Sequence, residues 1–132
     1  MVDLDGKVCL ITGAGRGIGA ETARMMAQAG AYVVVSDICE RSAANVSHQI
    51  EDEGGRTIYF NLNVSKPDEW KAAVDKIVNT FKKLDVLVNN AGVLLAKDIE
   101  DVSLEEWNHM VAVNMTSVFL GTKICAPALR MA

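Results

Sequence analysis

The chain has 132 residues, half of them apolar and 23% charged, which is one domain's worth of polypeptide with a buildable core and excludes a disordered or collagen-like polymer. Thirteen Lys and Arg against seventeen Asp and Glu leave a net charge of −4 with no basic run, so no nucleic-acid partner is expected. The three cysteines, Cys9, Cys39 and Cys125, are odd in number and far apart; they exclude a disulfide framework, argue against a metal site and suit a reducing, cytoplasmic setting.

Residues 1–7 carry two acids and no long apolar run, so they do not read as a secretory signal. Val8-Cys9-Leu10-Ile11 is a short apolar run closing on Thr12-Gly13, the pattern of a buried parallel strand. Residues 17–29 read as a helix, with Ile18, Thr22, Met25 and Ala29 in helical period and Gly30 as its stop. A β-branched second strand spans 32–36. A polar helix over 40–53 follows, with one thin stripe of Ala43, Val46 and Ile50 before Gly54-Gly55. The third strand is expected at 57–62. Ser65 and Pro67 then mark a helix start, and Trp70, Ala73, Val74, Ile77, Val78 and Phe81 form its apolar face. Residues 86–88 are a fourth strand leading into Asn89-Asn90-Ala91-Gly92. After a loop, Ser103-Leu104-Glu105-Glu106 is a capping box that opens a long last helix. Its 110–129 stretch is nearly long enough to cross a membrane, but Asn114, Lys123 and Pro127 interrupt it, and no membrane partner is expected.

Strict alternation of strand and helix predicts an α/β fold: a parallel sheet with helices on both faces, of the Rossmann-type doubly wound kind. Strands one to four in the order 3-2-1-4 are present and the C-terminal strands of that fold are absent. No repeat, linker or low-complexity segment appears. The chain therefore reads as a single dinucleotide-binding domain over 1–132, the first part of a larger one.

Between the first strand and first helix lies Thr12-Gly13-Ala14-Gly15-Arg16-Gly17-Ile18-Gly19. A pyrophosphate needs a tight backbone turn that no Cβ obstructs, beside the free N–H groups of a helix N-terminus. Gly15-x-Gly17-x-x-Ala20 matches the dinucleotide fingerprint, but Thr-Gly-x-x-x-Gly-x-Gly places Gly13 directly at the turn and is the better reading. Asp37 ends the second strand twenty positions after Gly17, where a carboxylate accepts hydrogen bonds from the adenosine ribose and repels a 2′-phosphate. Arg16 could instead attract that phosphate. Asp37 is the closer and more directional group, so NAD is expected rather than NADP.

At this point the chain resembles the short-chain dehydrogenase/reductase family over its whole length. Thr12-Gly13-x-x-x-Gly17-x-Gly19 matches the family's cofactor loop. Asn89-Asn90-Ala91-Gly92 matches its Asn-Asn-Ala-Gly signature, and Asn114 stands where the family places its helix Asn. Asn63-Val64 stands where the family usually has Asp-Val beside the adenine, a departure that still leaves a hydrogen-bonding group there. The resemblance implies cofactor binding by Gly13, Arg16, Gly17, Ile18, Gly19, Asp37, Asn63, Val64, Asn90, Ala91 and Gly92, with Ile18 N–H on the pyrophosphate and Asn90 to Gly92 along a ribose. It implies a catalytic role for Asn114, holding a water in a proton relay. It also implies a small alcohol or carbonyl substrate, and a homo-dimer or homo-tetramer built through helix 104–130.

On a regular helical wheel, Asn114 shares a face with Trp107, Val111, Val118 and Cys125, which predicts a buried amide in an apolar stripe and a core Trp107. His109 falls on the opposite face, as a surface or interface residue. The family's chemistry also uses a Tyr with a Lys four residues on. Here Tyr32 and Tyr59 are followed by Ser36 and Asn63, so no such pair exists in the 132 residues. The chain alone is therefore expected to be inactive. A non-catalytic NAD-binding module is the alternative, whereas the glycine spacing and Asn89-Asn90-Ala91-Gly92 disfavour a sugar-nucleotide epimerase.

Overall fold

The computed structural model describes residues 2–132. Four strands, β1 (Val8–Ile11), β2 (Tyr32–Asp37), β3 (Arg56–Asn61) and β4 (Val86–Val88), pair in parallel in the order β3-β2-β1-β4, as the alternation predicted. Val8 stands opposite Tyr32, and Tyr32 opposite Arg56. Successive side chains on a strand point to opposite faces, and here both faces are covered. Val8 and Leu10 join one core and Cys9 and Ile11 the other, which is why β1 is apolar throughout rather than alternating.

Helices α1 (Gly17–Gln28) and α2 (Glu40–Asp52) cover the face that carries Cys9, Ile11, Val33 and Val35. The other face is covered by α3 (Pro67–Phe81) and the last helix. Strand β3 begins and ends one residue earlier than expected, and α1 and α2 each end one residue sooner. In α2 the stripe Ala43, Val46 and Ile50 is buried as predicted, joined by Ser47. In α3, Trp70, Ala73 and Ile77 are buried, and Trp70 Nε1 donates to the Val64 carbonyl at 2.8 Å.

Two expectations for helix surfaces are corrected. In α1 the buried residues are Gly19 and Ala23, with Ala20, Met26 and Ala27 packed beside them, while Ile18 and Met25 are exposed. Small side chains let this helix sit close to the sheet, so the large apolar ones fall outside. Ser65 does not cap α3 either. Lys66 is the N-cap residue, Pro67 occupies the first turn, and Ser65 instead donates its hydroxyl to Asn63 Oδ1.

The last helix runs from Leu104 to Met131, long and apolar enough to span a membrane by length and composition. It is not uniform. It comprises α4 (Leu104–Val111), one widened π turn (Ala112–Thr116) and α5 (Ser117–Met131). The predicted capping box is present: Glu106 N–H donates to Ser103 Oγ at 3.0 Å, and Ser103 N–H to Glu106 Oε1 at 3.1 Å. The wide turn slips the helical phase, so the face laid on the core is Val113, Ser117, Gly121 and Cys125. Trp107, expected in the core, is 55% exposed, and Val118 is exposed as well.

Candidate nucleotide-binding cleft

The carboxyl ends of all four strands open onto one cleft of about 420 Å³. In a doubly wound sheet this is where the strand order reverses and helices diverge to opposite faces, leaving a crevice between adjacent loops. Gly13, Arg16, Gly17, Ile18 and Gly19 form one wall. Asp37, Asn63 and Val64 lie at one end, and Asn90, Ala91 and Gly92 at the other. Eleven positions scattered over eighty residues of sequence are thus brought to one surface.

The glycine loop is held from behind. Thr12 Oγ1 accepts the Asn90 and Ala91 N–H groups at 3.1 and 3.0 Å. Asn90 Nδ2 donates to the Thr12 and Gly13 carbonyls at 3.0 and 3.1 Å. The Asn90 amide nitrogen is therefore spent on joining the two loops rather than free for a ligand. That stitching requires glycines. Gly13 has φ +61°, and a Cβ there would lie 2.7 Å from the Ala91 Cα. A Cβ on Gly19 would lie 2.4 Å from Asn90 Nδ2.

Asp37 occupies the tip of β2. Its Oδ2 accepts the Gly15 N–H and its Oδ1 the Cys39 N–H, both at 3.0 Å. An ionised carboxylate has about four acceptor directions, so two stay open for a pair of ribose hydroxyls. Cys39 is exposed at the N-cap of α2, where the Ser42 hydroxyl donates to Sγ at 3.2 Å. That hydrogen bond, followed by the Ser42 backbone N–H, draws the thiol pKa below its ordinary value.

Asn114 does not lie among apolar side chains as the regular wheel predicted; it is exposed and lies outside the cleft lining. The wide turn points its amide at the loop after β4. Val93 N–H donates to Asn114 Oδ1 at 2.7 Å, and Asn114 Nδ2 donates back to the Val93 carbonyl at 2.8 Å. An amide paired at both ends with the N–H and C=O of one residue fixes the loop to the helix at the π turn.

Ile38, Leu62, Val93 and Val113 also line the cleft and were not singled out from the sequence, and His109, read as a surface or interface residue, is exposed at the cleft wall. Val113 and His109 are one helical turn apart, a legible signal once the helix is known to cross the strand ends. Ile38 follows Asp37 and is 70% exposed, an apolar side chain at a strand tip with no core to fill.

A dinucleotide fits this set of residues. The pyrophosphate place lies at the N-terminus of α1, where the backbone comes close and no Cβ intrudes. Asp37 would meet the adjacent ribose, with Ile38, Leu62 and Val64 as the apolar lining beyond it.

Residues 7–132 match the family described as short chain dehydrogenase. The chain is 41% identical over 126 residues to the 2,5-dichloro-2,5-cyclohexadiene-1,4-diol dehydrogenase of Sphingobium indicum, covering 96% of this chain and 50% of that protein. It is 42% identical over 129 residues to the 3-alpha-(or 20-beta)-hydroxysteroid dehydrogenase of Mycobacterium tuberculosis, covering 98% of this chain and 48% of that one. Among solved structures it superposes on a metagenomic short-chain oxidoreductase in complex with NADP with a TM-score of 0.90 and 33% identity, covering 96% of this chain and 57% of the other. The chain spans about half the length of the curated relatives it matches. Fold, glycine loop, the Asn-Asn-Ala-Gly turn and these likenesses agree, and the chain belongs to the short-chain dehydrogenase family of oxidoreductases.

Proposed function

We propose that the full-length protein is an NAD-dependent oxidoreductase that interconverts a secondary alcohol and a ketone. The observation that carries the cofactor choice is Asp37. Its carboxylate stands at the β2 tip within the cleft, with acceptor directions left for ribose hydroxyls. A 2′-phosphate placed there would meet like charge. Arg16, exposed on the opposite wall, is the feature that would favour NADP instead. Gly13, Gly17, Ile18 and Gly19 would hold the pyrophosphate, Asn63 and Val64 the base, and Asn90 to Gly92 the backbone of the second ribose site.

The nicotinamide, when bound, supplies hydride exchange with the substrate carbon. The protein's part is to orient that ring and to manage the substrate proton. Asn114 keeps Val93 and its neighbours in place beside the ring end of the cleft; the water it would hold in a proton relay belongs to this proposal. A Tyr and Lys pair for acid–base chemistry does not occur in the 132 residues, so catalysis needs residues outside them. Both relatives named above carry alicyclic alcohols in their names. The apolar Val93-Leu94-Leu95 loop, with Leu94 90% exposed, is compatible with a ring-shaped apolar substrate.

The same reading places the protein in the cytoplasm and pairs subunits through helix 104–130. There Trp107, Met115, Val118 and Phe119 form an exposed apolar face, and light scattering measures the association. The cofactor test is calorimetric titration of the full-length protein with NAD and NADP, followed by turnover of cyclic secondary alcohols read at the reduced-nicotinamide absorbance. NAD is expected to bind at least about tenfold more tightly. Equal affinity would transfer the choice to Arg16. Tight NAD binding without turnover of any alcohol or ketone would support a non-catalytic module.

A further inference from the structure

Past Asp37, on the side away from the glycine loop, the cleft is closed by Ile38, Leu62, Asn63 and Val64. With the pyrophosphate at the α1 N-terminus and the ribose on Asp37, the base of a dinucleotide has this end as its place. Three of the four side chains are apolar and complement the faces of a ring. Asn63 is the polar exception, and so the group that meets the edge of the base.

An amide side chain offers an acceptor at one end and a donor at the other, and which end faces a ligand decides what it recognises. Here the orientation is fixed. Asn63 Oδ1 accepts the Ser65 backbone N–H at 3.1 Å and the Ser65 hydroxyl at 2.7 Å. Turning the amide over would set Nδ2 against the Ser65 N–H, two donors face to face, and a backbone N–H cannot change roles. The Asn63 backbone is anchored too, donating to Glu69 Oε1 at 2.9 Å. The end left to a ligand is Nδ2, a donor only.

Resting on the dinucleotide reading above, we infer that Asn63, locked by Ser65, presents a hydrogen-bond donor to the base edge, so that this site accepts a 6-oxopurine dinucleotide as readily as a 6-aminopurine one. A 6-amino group is itself a donor and gains no bond from Nδ2, which then falls to the ring-nitrogen acceptor beside it, whereas a 6-oxo group accepts the bond itself, so each base finds one partner. A carboxylate at position 63 would reverse the preference. One of its oxygens would keep the Ser65 contacts and the other would accept from a 6-amino group.

The experiment compares NAD with nicotinamide hypoxanthine dinucleotide, titrated calorimetrically into the full-length protein and its Asn63→Asp variant. The two dinucleotides are expected to bind the unmodified protein within about threefold of each other, and Asn63→Asp to shift the ratio about tenfold toward NAD. A tenfold preference for NAD in the unmodified protein, or a ratio that Asn63→Asp leaves unchanged, overturns the inference and leaves the NAD reading standing. Binding of neither dinucleotide overturns both. The ratio in the unmodified protein is decisive by itself should the variant lose its fold.

Discussion

At the scale of single residues, Asp37 serves two purposes that are hard to separate. It faces the cleft, and it also ties Gly15 of the glycine loop to Cys39 at the start of α2. A Cβ on Gly15 would lie 2.9 Å from Asp37 Oδ2 and 2.7 Å from the Ser42 Cβ, so this glycine is demanded by its neighbours rather than by a phosphate. Replacing Asp37 by Ala removes the charge and both loop acceptors together. The expected result is a loss of NAD affinity of about 1–3 kcal/mol, the cost of stranding hydrogen-bond partners, with NADP reaching parity but not the original NAD affinity. Titration of both cofactors into Asp37→Ala and Asp37→Ser checks this, and Ser should retain more because it keeps one acceptor. The cysteines make a second residue-scale test. Burial raises the Cys9 and Cys125 thiols to about 11, with the Asp85 charge adding to the rise at Cys9, whereas Cys39 is exposed and lowered by Ser42. Of these three thiols in the full-length protein, Cys39 should react rapidly with an aromatic disulfide reagent and Cys9 and Cys125 only after denaturation. The fast rate should level off at a lower pH than for an ordinary thiol.

At the scale of elements, α5 comes closest to α3 and the loop after β4 at Gly121. A Cβ there would stand 2.6 Å from Trp70 Cη2 and 2.7 Å from Asn89 Oδ1. Trp70 is fully buried and hydrogen-bonded to Val64, so it has no room to give way. Gly121→Ala should destabilise the full-length protein by about 1–3 kcal/mol in urea unfolding, against the small gain expected for Ala in an open helix. The capping box makes the pH-dependent case. Lys97 and the Ser103 N–H hold the Glu106 carboxyl down to about 2. A carboxyl whose folded pKa lies below its unfolded one stabilises the fold above the unfolded value, near 4.5, and that gain fades as pH falls toward 2. Wild type and Glu106→Gln should therefore differ in melting temperature at neutral pH and converge as pH approaches 2.

The elements also show what the sequence could reveal. Strand order, the capping box and the α2 and α3 faces were legible because each rests on local chemistry or a clean period. The inner face of α1 was not, since Gly19, Ala20 and Ala23 bury little side chain while Ile18 and Met25 dominate any apolar count. The surroundings of Asn114 were misread for a different reason. A wheel assumes 3.6 residues per turn, and the π turn in which Asn114 lies breaks that assumption. The cleft-lining residues that carry a backbone signature were legible, whereas Ile38 is an isolated apolar residue past the tip of β2 and His109 depends on where α4 crosses the strand ends.

At the scale of the whole molecule, the sheet is finished on some sides and open on others. Among the described residues β4 pairs only with β1, so its outer edge presents unpaired peptide groups beside the exposed face of α4 and α5. Such an edge invites association. The 132-residue chain, purified alone, should aggregate or self-associate in light scattering. It should also show no oxidation of secondary alcohols at the reduced-nicotinamide band, because a general acid contributing roughly 10²–10⁴-fold is missing. Measurable turnover by this chain would require a proton donor other than a Tyr and Lys pair.

The placement of the cleft has a consequence in time as well as in space. Every residue that lines it lies between Gly13 and Val113. A ribosome adds roughly 5–20 residues per second and releases them in order, so these lining residues emerge from the exit tunnel ahead of whatever follows Val113. A dinucleotide already abundant in the cell can then bind the nascent chain and stabilise it by mass action. The ligand would act first as a folding partner for the nascent chain and only afterwards as a reactant.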